Sequence, residues 1–214
     1  MPRFADTIRD SFPPGIELPE AFVRLFDWLE AQHCVRQATG SLGPMAALEP
    51  SHTWNTNISL VTFVPVDWDH AAHWLGVHDP AVTSRLAPFV RTGGDGSYAA
   101  LWRDDEDKLR FVHMGSGSGS TWAGLIADEP VDFLRFLAIG YEEPAFTEHF
   151  GYTPIEATAS AHYTPPVDFR DWVEASFGVT VPPTADGLVP AIAKLDDADS
   201  DDPFWRWVRR VQSA

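Results

Sequence analysis

The sequence predicts an α+β fold with a largely antiparallel sheet, and two patterns lead to that prediction. Amphipathic helical segments stand at both ends of the chain, and consecutive β-rich segments with polar turns lie between them. Hydrophobic residues make up 44% of the 214 residues. This share allows a full buried core and excludes disorder of the whole chain.

The N-terminal part is predicted to contain a helix, a loop and a strand. The helix covers residues 19–33, where four apolar side chains recur at helical spacing: Phe22, Leu25, Phe26 and Leu29. Residues 35–56 are rich in Gly, Ser, Pro and Thr, which predicts a loop. The β-branched residues of 57–64 predict a strand.

Two short helices are predicted next. Asp67 can cap the first, Gly76 would end it, and its apolar residues are Trp68, Ala71, Trp74 and Leu75. The pair Asp79-Pro80 is a cap followed by a first-turn proline, which predicts a second helix through about Leu86.

A turn at residues 93–96 leads into a predicted antiparallel hairpin with an acidic tip. Its strands, 97–103 and 109–114, flank a run of charged residues: Asp104, Asp105, Glu106, Asp107 and Lys108. Residues 115–120 alternate Gly and Ser, which predicts a pliable connection to a third strand at 121–127.

Three helices are predicted in the C-terminal part. Asp128 would cap a helix at 129–139 that Gly140 ends; this helix is apolar nearly all round, so we expect it to be buried under the sheet. After a loop at 144–166, Asp168 would cap a helix that ends at Gly178 and turns four apolar residues inward: Phe169, Trp172, Val173 and Phe177. Asp202-Pro203 would start the last amphipathic helix, with its apolar side at Phe204, Trp205, Trp207, Val208 and Val211.

The charge and cysteine content limit the classes of partner and the compartment. Asp and Glu total 31 against 15 Lys and Arg, a net charge of −16, which argues against direct nucleic-acid binding and favours basic partners. An acidic surface that only keeps the protein in solution is the alternative.

The longest apolar runs are too short to span a bilayer, and the first residues lack an apolar signal core. Cys34, the single cysteine, allows no internal disulfide, so we expect a cytoplasmic protein.

Familiar catalytic and ligand-binding motifs fail in this sequence. The Gly-Ser run has no lysine for a phosphate loop, and Ser120 occupies the third glycine position of a dinucleotide fingerprint. A calcium loop beginning at Asp197 would need glycine at its sixth position and glutamate at its twelfth, where Asp202 and Val208 stand. Cys34 has no partner motif and is interpreted as a buried, small apolar residue.

The histidines give a weaker indication of a site. His70, His73 and His78 are spaced like metal ligands, but no third and fourth zinc ligand can be assigned, so surface or capping roles are the better interpretation. His113 alternates with apolar residues of its strand and is expected to be a partly buried, hydrogen-bonded residue rather than a catalytic base. The sequence thus predicts no metal, no cofactor and no enzymatic activity.

Residues 94–143 resemble the SUKH superfamily, the bacterial immunity proteins related to fungal cell-wall-assembly regulators. A Gly-rich turn and two strands precede a third strand and a helix marked by Ala127-Asp128 and Asp132-Phe133-Leu134; Leu18-Pro19-Glu20 is similar to the opening helix of the family. The Gly-Gly of the family after that helix is not evident. The resemblance implies a curved sheet flanked by helices, with residues 1–143 as the core. Residues 35–66 depart from the family as an enlarged insert, and residues 144–214 extend past its usual core. The two tryptophan-bearing helices of this extension predict that it packs on the core.

The resemblance implies a cytoplasmic protein that binds and blocks a toxin, often a nuclease, whose basic cleft an acidic protein could occlude. The residues chosen for that binding are the hairpin tip, two tryptophans of the sheet and the Gly-Ser loop: Trp102, Asp104, Asp105, Glu106, Asp107, Trp122, Gly117 and Ser118. Burial of both tryptophans in the core is the competing interpretation. Two alternatives stay open: a small-molecule-binding protein or enzyme that uses the histidine group, and a regulatory scaffold with a partner other than a toxin.

Overall fold

The protein folds around one antiparallel sheet. A computed structural model describes residues 3–37, 43–50, 58–67, 69–190 and 192–213. Within them, seven strands pair in chain order as a meander, so each strand is antiparallel to its sequence neighbour. The strands are β1 (Val35–Gln37), β2 (Pro44–Ala47), β3 (Thr62–Phe63), β4 (Leu86–Arg91), β5 (Tyr98–Arg103), β6 (Leu109–Met114) and β7 (Ala123–Ala127).

Helices precede, interrupt and follow the strands, which confirms the predicted α+β class. A 3₁₀ turn at Thr147–His149 lies between the fifth and sixth helices. The helices are α1 (Phe4–Asp10), α2 (Glu20–Ala31), α3 (Asp69–Leu75), α4 (Pro80–Thr83), α5 (Pro130–Ile139), α6 (Pro154–Ala157), α7 (Val167–Phe177) and α8 (Pro203–Gln212).

Each face of the sheet supports its own hydrophobic core. Successive strand residues point to opposite faces, so Leu101 lies in the larger core and Trp102 in the smaller one. The larger core joins α1, α2, α5 and α7 to the sheet, with Phe22 among its central rings. The smaller core packs α3 and α8 on the other face, where Phe204 lies 5.4 Å from Trp102 between ring centroids. Each fully buried aromatic side chain contributes roughly 1.5–3 kcal/mol of transfer free energy.

Residues after 144 contribute to both cores. Phe169 and Val173 of α7 belong to the larger core, as do Val181 and Ala185 beyond that helix. Residues 193–195 run beside the start of β7, where Trp122 forms an isolated bridge with Lys194.

The predicted capping residues are confirmed at the ends of several helices. Asp79 accepts a hydrogen bond from Ala81 N, and Asp202 accepts one from Trp205 N. Gly140 and Gly178 adopt left-handed conformations that end α5 and α7. Gly76 is also left-handed, just after α3.

Two predicted caps are wrong. Glu129, not Asp128, is the N-cap of α5, and Asp128 instead pairs with Arg110. Asp168 lies inside the first turn of α7, which begins after Pro166. Each carboxylate still lies near a helix N-terminus, where negative charge is favourable. Trp68 lies outside the described residues.

Other differences concern segments whose structure depends on distant neighbours. The predicted loop at 35–56 contains β1 and β2, although 38–42 and 51–56 lie outside the described residues. The strand predicted at 57–64 is the two-residue β3. The helix predicted through Leu86 ends at Thr83, and Leu86 begins β4. Helix α1 was not predicted, although Phe4, Ala5 and Ile8 give it a buried face.

Candidate functional site

The acidic hairpin tip is folded onto cations of its own chain. Asp104 is buried and accepts hydrogen bonds from the Glu106 and Lys108 amides and, at 2.7 Å, from Arg110 Nε. Partial desolvation opposes ionisation of Asp104, but these donors outweigh it and lower the pKa of the carboxyl. Asp104 therefore closes the turn.

The next acids of the tip are also paired. Asp105 meets Arg85 at 3.0 Å and Arg210 of α8 at 2.6 Å, while Asp107 lies 3.9 Å from Arg103. The acids of the tip were predicted to bind a basic partner. Asp104, Asp105 and Asp107 already pair with arginines of the same chain, which leaves less of their charge available to such a partner.

The tip and α8 enclose a cleft of about 430 Å³. Four of the predicted binding residues line it, namely Trp102, Asp104, Asp105 and Glu106. Arg110, Arg206, Trp207 and Arg210 line it too. Three acidic residues and three arginines line it, so the cleft does not select for a basic ligand.

Both tryptophans chosen for binding lie in the core. Trp102 and Trp122 are each 2% exposed, so the competing interpretation of burial is correct, although each contributes to the wall of a cleft. Trp102 packs against Phe204 and Trp207. Trp122 stacks on His113 with 4.2 Å between the ring centroids.

The Gly-Ser loop is held by one carboxylate rather than being a pliable connection. Asp95 accepts hydrogen bonds from Ser97 N, Ser97 Oγ, Ser116 Oγ and Ser120 N at 2.7–3.0 Å. Partial burial opposes ionisation of Asp95, but the bonds from Ser120, Ser116 and Ser97 prevail and lower its pKa to about 2.

The two loop residues predicted to bind a partner lie at the exposed end of this loop. Gly117 has a φ of +75°, which suits glycine, and Ser118 is exposed beside it. The Ser116 hydroxyl accepts hydrogen bonds from the amides of Ser118 and Gly119. The loop offers backbone and hydroxyl groups at its exposed end, at the opposite end of the sheet from the hairpin tip.

His113 is structural, as predicted, but more deeply buried than expected. Its Nδ1 donates to the Trp122 carbonyl oxygen at 2.9 Å, which leaves Nε2 to accept from the Thr92 hydroxyl at 2.8 Å. Desolvation lowers its pKa to about 4. The ring is therefore neutral at neutral pH and has no access to a substrate.

The three other predicted histidines do not form a common centre. His70 packs on Tyr98 with 4.7 Å between ring centroids, and His73 and His78 are 6.5 Å apart by the same measure. Among the described residues, no group of three His, Cys, Asp or Glu side chains could hold a metal ion.

A second acidic segment, which was not predicted as a binding surface, lies at the other end of the sheet. Between residues 136 and 169 the sequence has five acidic residues and no Lys or Arg: Glu142, Glu143, Glu148, Glu156 and Asp168. None of the nine ion pairs among the described residues involves them. This charge asymmetry could have been read from the sequence.

Neutral donors fix two of these glutamates at one end of the sheet. Glu143 accepts the Gly94 amide at 3.0 Å, and Glu142 accepts the Thr158 hydroxyl. The Glu142 carbonyl oxygen accepts the Leu60 amide at 2.8 Å. Their side chains are thus positioned, yet neither forms an ion pair with a cation in the part of the chain that the structure describes.

Exposed apolar side chains accompany these glutamates. Leu60 is 40% exposed, and Tyr152 and Ile155 are each 57% exposed, whereas most large hydrophobic residues are buried. The Tyr141 hydroxyl donates to the Tyr152 carbonyl oxygen at 2.9 Å and so ties this segment to the sheet end. We define the acidic face by six residues: Leu60, Glu142, Glu143, Glu148, Tyr152 and Ile155.

An open cleft of about 340 Å³ lies in the acidic face. Glu142 and Glu143 line it, together with Tyr141, His149 and Thr158. Two carboxylates in a cleft suit the side chain of an arginine or a lysine. A second cleft, of about 320 Å³, is lined by Ser120, Glu148 and Lys194.

Cys34 does not contribute to any of these clefts. It is fully buried, as predicted, and desolvation with a smaller effect of Glu49 raises its pKa to about 12. The thiol is therefore protonated and shielded at neutral pH.

Comparisons with known proteins neither support nor contradict the resemblance to the SUKH superfamily. No family model, curated protein or solved structure matches the chain. Membership of the SUKH superfamily therefore stays a prediction. In the described part of the chain, no helix has both the length and the apolar character needed to cross a bilayer.

Proposed function

We propose that this protein is a non-enzymatic binding module of the immunity type, which acts in the cytoplasm and neutralises a basic toxin such as a nuclease. The observation that carries this proposal is the acidic face, in which three glutamates that form no ion pair within the described residues occur together with three exposed apolar side chains. Protein interfaces combine apolar contact with complementary charge, and the charge accelerates association.

Two further features support the proposal. The net charge of −16 gives the whole molecule a field that attracts basic proteins and repels nucleic acid. The resemblance of residues 94–143 to immunity proteins supports a toxin as the partner. The buried His113 and the dispersed histidine group give no comparable support to a catalytic role.

The test is capture followed by neutralisation. The purified chain, immobilised, is incubated with lysate of the source organism at about 50 mM salt and eluted at about 500 mM, a range over which exposed charge interactions weaken strongly. Retained proteins are identified by mass spectrometry and expressed with and without this chain. We expect one basic protein whose toxicity is relieved by co-expression. A captured protein that remains equally toxic, or no captured protein at low salt, would contradict the immunity role.

A further inference from the structure

We propose that the acidic face is the docking surface for the basic partner, and that a lysine or arginine side chain of this partner enters the cleft beside Glu142 and Glu143. This inference rests on the proposed function and adds the place and chemistry of the contact. It replaces the hairpin tip, where Asp105 already binds two arginines of the same chain.

The distribution of charge distinguishes this face from the hairpin end. At the hairpin end, four acids of the chain meet arginines: Asp104, Asp105, Asp107 and Asp128. At the opposite end of the sheet, Glu142 and Glu143 accept hydrogen bonds only from neutral groups among the described residues, and Glu148 is exposed. An incoming cation therefore gains attraction there without first displacing an internal one.

Apolar exposure is the second property of this face. Three of the five large hydrophobic residues found exposed in the described chain belong to it, namely Leu60, Tyr152 and Ile155. Tyr152 presents an aromatic ring at low cost in side-chain entropy, a property of interface anchors. The expected footprint is thus a central cation in the cleft with apolar contacts around it.

The first experiment uses fluorescein-labelled deca-arginine and fluorescence anisotropy at about 50 mM salt. The variant Glu142→Gln/Glu143→Gln/Glu148→Gln removes three charges from the face but keeps acceptor oxygens for Gly94 and Thr158. The control Asp10→Asn/Glu17→Gln/Glu20→Gln removes three exposed charges on the N-terminal helices and the segment between them. The segment between α1 and α2 lies near the hairpin end of the sheet, away from the acidic face: a Cβ atom at Gly15 would be 2.8 Å from the guanidinium of Arg103.

We expect the face variant to bind the peptide about tenfold more weakly or worse, because three charges that face the peptide are lost. The control should stay within about twofold of the wild type. Thermal unfolding verifies that both variants fold. Equal losses in the two variants would show that binding depends only on net charge and would overturn the proposal.

The second experiment separates this surface from the function itself. Tyr152→Ala should weaken inhibition of the captured toxin, because the exposed ring is expected to pack against the folded partner. If the face variant inhibits that toxin as strongly as the wild type, the docking surface is wrong while the immunity function stands. If the wild type inhibits no captured protein, the proposed function fails instead.

Discussion

Replacement of Asp95 by asparagine tests whether one carboxylate organises the Gly-Ser loop. Asp95 accepts four hydrogen bonds, three of them at Oδ2 from Ser97 Oγ, Ser116 Oγ and Ser120 N. An asparagine amide has one acceptor oxygen, so Asp95→Asn must lose at least one of these bonds and all the charge assistance. The loop between β6 and β7 would then be held mainly by its own backbone bonds.

The pKa of Asp95 sets the expected magnitude. A pKa lowered from 3.8 to about 2 corresponds to about 2.5 kcal/mol at roughly 1.4 kcal/mol per unit. The side chain is partly exposed, and solvent screening reduces that figure to about 1–2 kcal/mol. For a domain of this size, such a loss lowers Tm by about 2–6 °C.

The pH dependence gives a second, independent readout. The folded-state pKa lies below the unfolded value, so the stabilisation is complete above about pH 4 and is lost as the pH falls towards 2. Urea unfolding monitored by tryptophan fluorescence should therefore show a difference between wild type and Asp95→Asn at pH 7 that shrinks to about half at pH 3. Asp199→Asn, at an exposed carboxylate, is the control and should change stability by less than about 0.5 kcal/mol. If Asp95→Asn matches that control at pH 7, the loop does not depend on Asp95 and is the pliable connection that its composition suggests.

Two further predictions concern buried groups, namely the Asp202 carboxylate and the Cys34 thiol. Asp202 caps α8 and also accepts the Leu125 amide of β7 at 2.8 Å, so Asp202→Ala should destabilise the fold by about 2 kcal/mol in thermal unfolding. Asp202→Asn should destabilise it less, and Asp201→Ala, at an exposed site, hardly at all; equal effects of the two alanine variants would contradict the double role of Asp202. The Cys34 thiol is buried and its pKa is raised to about 12, so it should not react with a disulfide reagent at pH 8 in the native protein. It should react completely in about 6 M guanidinium, where the chain is unfolded. Rapid labelling of the native protein would show that Cys34 is not buried.

Elements whose signals are local could be predicted from the sequence. In α8, Asp202-Pro203 supplies a cap and a first-turn proline, and the apolar residues that follow share one helical face. β6 alternates between the two faces of the sheet over the predicted range Leu109–Met114. Capping and periodicity act within a few residues, so no knowledge of the rest of the fold was needed.

Strands that depend on distant neighbours could not be predicted. β2 begins at Pro44 and β4 contains Pro88, beside an irregularity in the pairing of β4 with β5. Proline is disfavoured within strands except at edges and bulges, so its presence argued locally against both elements. Their stability comes from pairing and from burial of residues such as Phe89, which only the assembled sheet provides.

The same distinction explains the error about the binding residues. The tip of the hairpin is acidic in sequence, but Arg85 and Arg210, which neutralise Asp105, are 20 and 105 residues away from it. Composition gives the total charge of −16 and cannot say which acids find cations once the chain has folded. The 136–169 segment differs because it has no cation of its own, and its glutamates also meet none from elsewhere among the described residues. The charge available to a partner is what remains after internal pairing, and this remainder, together with Tyr152 and Ile155, distinguishes the acidic face from the hairpin tip.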